Sequence, residues 1–248
     1  GKNLSGRVQA MLPAIRTRLS GTIPPTQTEK SIVPVDISSK FNSGNNVLGS
    51  DLHGMATGTI QLNNIVFDLK TADGKDSIVV GTEGKSATGL PKVVSGIPIA
   101  VAPTSLIFLH ATAKPASNKE SFRLIWDQED TADMVGWYEI VYQDGFVTTI
   151  PIRYGVNILE WNWGQRVSYN DYCYGADAVP VGTDSTNGIT GFALEWINPR
   201  LGKVIQEVRL RGTTGFRGGS DEYDNEWGPV IESNAVILKA ISLVQKRT

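Results

Sequence analysis

From residue 31 onward apolar and polar positions alternate in short runs rather than at helical spacing. "SIVPVDI" (31–37), "TGTIQLNNIVFDL" (57–69), "DSIVV" (76–80), "TSLIFLHA" (104–111), "SFRLIWD" (121–127), "VGWYEIVYQ" (135–143), "FVTTIPI" (146–152), "NILEWNW" (157–163), "TGFALEWI" (190–197), "KVIQEVRLRG" (203–212) and "AVILKAISLV" (235–244) are rich in β-branched and aromatic residues. Gly, Pro, Asn and Asp punctuate them, and Asp144-Gly145 between two runs marks a tight hairpin. Roughly ten short strands with no convincing helix among them predict an all-β, antiparallel two-sheet β-sandwich of jelly-roll type. Ahead of them, Leu4, Val8, Met11, Leu12, Ile15 and Leu19 stripe one face of a helix, which Pro13 kinks or splits into two short ones, and "SGTIPPTQTEK" reads as a linker; the helix is expected to clamp onto the sandwich, with the end of a preceding catalytic domain as the alternative. The expected organisation is therefore an N-terminal amphipathic helix and linker over residues 1–30 and a β-sandwich over 31–248.

Composition narrows the possibilities. A chain of 248 residues buries enough surface to fold without disulfides, and the lone Cys173 excludes an internal disulfide framework and any multi-cysteine metal site. The formal net charge of −2 gives no electrostatic case for nucleic acid. That charge is uneven: Lys2, Arg7, Arg16, Arg18 and Lys30 against Glu29 give residues 1–30 a charge of +4, which leaves −6 on the remainder. A basic tail beside an acidic body suggests contact with that body or with a neighbour; scattered solvated charges are the plainer alternative. There is no run of 18 apolar residues, so no membrane span is expected. The chain begins at Gly1 with neither Met nor an apolar signal segment, so it is expected to be part of a longer polypeptide, with secretion neither shown nor excluded.

Chemistry-bearing motifs are sparse. His53 and His110 lack partners at metal-ligand spacing, and His110, inside "LIFLHA", is expected to be a hydrogen-bonded core residue. "GTEGKSATG" (81–89) imitates a phosphate loop, but the first glycine of the motif would fall at Val79. Glu160, Glu195 and Glu226 each adjoin a tryptophan (Trp161, Trp196, Trp227), an environment that can raise a carboxyl toward general-acid duty. Glycoside hydrolysis needs two carboxyls at a set separation, and alternation alone places charged residues beside rings. "GTDSTNG" (182–188) and "GGSDEYDNEWG" (218–228) are oxygen-rich loops of a kind that can hold a structural calcium, without matching a calcium-loop pattern. No cofactor is otherwise expected.

Several phrases go beyond a generic sandwich. "VPVDISSKFN" (33–42), "LPKVVSGIPIAVAPTSLIFLHATA" (90–113), "GWYEIVYQDGFVTTIPIRYGVNILEWNW" (136–163) and "FALEWINPRLGKVIQEVRLRG" (192–212) occur in order, with "AVILKAISLV" closing the chain. Together they resemble a family of carbohydrate-binding-module-like, galactose-binding-like accessory domains attached to bacterial glycan-degrading enzymes. The resemblance implies a non-catalytic domain of a secreted glycoside hydrolase or related enzyme, extracellular or periplasmic. Its partners would be a poly- or oligosaccharide and the catalytic domain of the same polypeptide. It fixes no ligand residues.

Those are sought in the residues themselves. Sugar recognition needs a ring against the pyranose C–H groups and planar polar partners for the hydroxyls. In "NILEWNW", Trp161 is expected in the core, whereas Trp163 is divided between core and ligand. The segment after it offers Tyr169, Asn170, Asp171, Tyr172 and Tyr174; a second loop offers Arg217, Asp221, Tyr223, Asn225 and Trp227. The alternatives are aromatics that merely cover the open end of a sandwich, a purely structural domain bracing a catalytic one, and a self-sufficient polysaccharide-cleaving enzyme.

Overall fold

The computed structural model describes residues 30–52, 54–62, 64–82, 88–113, 134–163, 173, 175–183, 188–213 and 233–246. The chain divides into two compact units, Ile32–Gln245 and a terminal unit of Gly1–Ser31 with Lys246–Thr248. The first is all-β. Its strands are β1 (Lys30–Val35), β2 (Asn46–Val47), β3 (Ser50–Asp51), β4 (Gly58–Leu62), β5 (Ile65–Leu69), β6 (Ile78–Thr82), β7 (Val93–Val101), β8 (Ser105–Ala113), β9 (Met134–Tyr142), β10 (Val147–Arg153), β11 (Asp177–Pro180), β12 (Thr190–Ile197), β13 (Ile205–Gly212) and β14 (Asn234–Lys246). A 3₁₀ turn (Ser38–Lys40) follows β1.

A six-stranded antiparallel sheet runs β1-β14-β8-β12-β11, with β6 also paired to β14, and a four-stranded antiparallel sheet runs β10-β9-β13-β7. Alternation aims one face of each at a shared core. Phe108, Phe192, Leu194, Val236 and Leu238 from the larger sheet meet Tyr138, Ile140, Ile152, Val208 and Leu210 from the smaller one, a sandwich-like arrangement. The Phe108 and Tyr138 rings stack across it with centroids 4.1 Å apart.

The second face of the six-stranded sheet is buried as well. Phe67 and Leu69 of the β4–β5 hairpin, with Leu52 and Met55, pack on Ile107, Leu109, Ala235, Ile237 and Val244. Double burial explains why β8 and β14 read as continuous apolar runs rather than alternating ones. β14 manages this with a bulge at Lys239: Val236 and Leu238 face the inter-sheet core before it, Ile241 and Leu243 after it.

Three departures from the expected strands have local causes. The stretch 57–69 is a hairpin rather than one strand, because Leu62 pairs with Ile65 and Asn64 lies in a turn. β7 breaks the simple pattern with Gly96 at φ +75° and Ala100 at φ +56°, where its pairing with β13 slips register. Its Pro98 is tolerated because β7 is an edge strand, as Pro151 is on edge strand β10. The segment 157–163 forms isolated bridges instead of a regular strand. The expected N-terminal helix and the run 121–127 lie outside the described residues.

Candidate functional site

The two ends of the sandwich differ. At one end the connections are short: residues 102–104, 143–146 and 198–204 join β7 to β8, β9 to β10 and β12 to β13. Side chains tie them together. Tyr142 Oη donates to Asn198 Oδ1 at 2.7 Å, and Asn198 Nδ2 donates to the Pro103 carbonyl at 2.9 Å. Arg200 grips Asp144 with two nitrogens at 2.9 and 2.8 Å while lying over the Tyr142 and Phe146 rings.

From the other end depart the connections of residues 83–92, 114–133, 154–176, 181–189 and 213–233, each longer than those three. Register shows that they share this end. Ala113 of β8 pairs with Ala235 of β14, and Ala235 with Gly81 of β6; Pro180 pairs with Thr190, Arg153 with Met134, and Gly212 with Gly136. The sheets are pinned together here, since Thr82 Oγ1 donates to the Val135 carbonyl, and a Cβ on Gly212 would lie 2.1 Å from the Gly81 carbonyl oxygen.

The floor of this end is polar. Residues 159–161 wedge between β8 and β12: Thr112 N donates to Leu159 O, Trp161 N to Thr112 O, and Thr190 N to Trp161 O. The wedge carries Glu160 inside, where the Tyr154 hydroxyl donates to its carboxylate. Thr112 Oγ1, on the strand residue bridged to Glu160, and both amide atoms of Asn234 at the start of β14 are enclosed without a partner among the described residues. One layer deeper, His110 is saturated. Its Nε2 faces the Asn157 carbonyl at 2.8 Å and must carry the proton, so Nδ1 accepts from Tyr138 Oη at 2.9 Å. Burial pushes this imidazole down to about 4 and the Tyr138 phenol well above its ordinary value. A neutral, doubly bonded histidine suits a structural role.

Trp163 is half-buried. Its ring meets Phe192 edge-on with centroids 6.3 Å apart, so it belongs at least in part to the core. Trp161 packs against both hydrophobic clusters. Tyr169, Asn170, Asp171, Tyr172, Tyr174, Arg217, Asp221, Tyr223, Asn225 and Trp227 lie outside the described residues, as do the core of "GTDSTNG" (184–187), "GGSDEYDNEWG", Glu226 and His53. The topology nevertheless brings the stems of the two loops that carry these candidates to the same end, because 154–176 and 213–233 both depart there. Cys173 donates to the Val156 carbonyl, and burial pushes its thiol up to about 12.

No protein-family model matches the chain, and no curated protein does.

The carboxyls separate clearly. Glu160 bridges to Thr112 and Glu195 pairs with Ile107, five residues apart along β8, or roughly 17 Å at about 3.4 Å per residue. That exceeds the ~5–9.5 Å range of paired glycosidase carboxyls. Glu195 instead accepts from Ser105 Oγ at 2.5 Å. Among the described residues no three His, Cys, Asp or Glu cluster as metal ligands would.

Sequence reasoning overlooked two features. Asn234 and Thr112 sit at the ends of apolar runs and look like ordinary strand residues. Trp137, inside "VGWYEIVYQ", neighbours Tyr138, which is buried; alternation therefore turns Trp137 to the outer face of the four-stranded sheet.

Proposed function

We propose that the chain is a non-catalytic carbohydrate-binding accessory domain of a glycan-degrading enzyme, with a jelly-roll, galactose-binding-like sandwich as scaffold. The saccharide is held at the end from which the long connections leave, and the domain works in the extracellular or periplasmic space where such polymers occur. The observation that carries this reading is the asymmetry of the two ends. Short, side-chain-locked turns hold one end, whereas from the other depart both loops that carry the aromatic and polar candidates, next to the half-buried Trp163. Loops on a rigid sandwich are the usual place for recognition. Two stacked rings at roughly 0.5–1.5 kcal/mol each beyond area burial give weak binding, useful chiefly for keeping a tethered catalytic domain near its polymer.

A bracing domain with no ligand is favoured by one observation of its own. Phe146, Val147, Ile197 and Leu201 stand exposed at the locked end, Ile197 at 73 %, as an interdomain contact would require.

A glycan array and affinity electrophoresis separate the readings. Retention on a polysaccharide that is weakened about tenfold or more by Tyr172→Ala or Trp227→Ala, with the circular dichroism spectrum unchanged, is the expected result. Absence of retention on every polymer leaves the bracing domain, and release of reducing ends by the isolated chain means that it is an enzyme.

A further inference from the structure

We draw no further inference here: the strongest candidate, the surface patch of exposed Phe146, Val147, Ile197 and Leu201 at the end of the sandwich closed by the short connections, carries nothing because nothing in the structure shows what covers it.

Discussion

His110 shows how one residue sets a pH dependence. The imidazole is wholly enclosed, neutral, and bonded at both nitrogens, and burial lowers it from its ordinary value near 6.5 to about 4. The unfolded chain therefore binds a proton between those values that the folded one refuses. Stability from this group is fully present above about pH 6.5 and is lost as pH falls toward 4, by on the order of 3 kcal/mol. Asp36 and Asp144 reinforce the trend lower down, because hydrogen bonds from Lys70 and Arg200 respectively hold each carboxyl at about 2. Urea midpoints measured from pH 7 to 4 should fall steadily in the native chain. His110→Gln should be less stable at neutral pH and should show a flatter profile between 6.5 and 4. An equal slope in both would mean that His110 is not the titrating group.

Among the elements, β14 depends most on a feature that apolar counting does not reveal. It is buried along nearly its whole length, and its bulge places Lys239, only 4 % exposed, with its ammonium 2.9 Å from Asp76, two residues before β6. Burial holds this lysine below its ordinary value. The two charges compensate one another, and Asp76 Oδ1 has no further partner among the described residues. Lys239→Met is expected to cost about 3–5 kcal/mol by stranding a buried carboxylate, whereas Lys239→Met with Asp76→Leu should recover most of it. Chemical denaturation of the three proteins checks this, and additive losses would show that the pair is not coupled. Much of this architecture was legible: eight of the eleven apolar runs coincide with strands to within two or three residues, because β-branched residues and Gly or Asn turns mark them. β7 was hidden by Gly96 and Pro98, which an edge strand with bulges accommodates. The wedge at 159–161 was hidden because its partners, Thr112 and Thr190, are far away in sequence. For the site, rings and amides near residues 163–174 and 214–227 could be picked out, and the end they depart from could not, since that depends on strand order. Trp137 escaped because in sequence an outward ring looks the same as an inward one.

Across the whole molecule, the proposed function divides scaffold and recognition between the ends, and that division can be tested by removing a connection. β13 and β14 belong to different sheets, yet Gly212 approaches Gly81 closely and Gly81 pairs with Ala235, so Gly212 and Ala235 are within roughly 10 Å of each other. A link of about five Gly and Ser residues, at ~3.3–3.6 Å each, spans that distance easily. Replacing residues 214–232 with such a link while keeping Thr213 and Ser233 should leave both sheets able to form, and shortening a loop lowers rather than raises the entropy of closing it. The expected outcome is a single cooperative thermal transition within a few degrees of the native one and loss of the saccharide retention that depends on Trp227. The contrasting replacement at the locked end, Asn198→Ala, removes a buried amide that accepts from Tyr142 and from the Arg200 backbone and donates to Pro103, and should lower stability by about 2–4 kcal/mol without altering saccharide retention. If the shortened chain fails to fold, residues 214–232 belong to the scaffold; if it folds and is retained as before, the saccharide is not held by that connection. Either result would take residues 214–232 out of the proposed recognition surface and leave it to the connection 154–176.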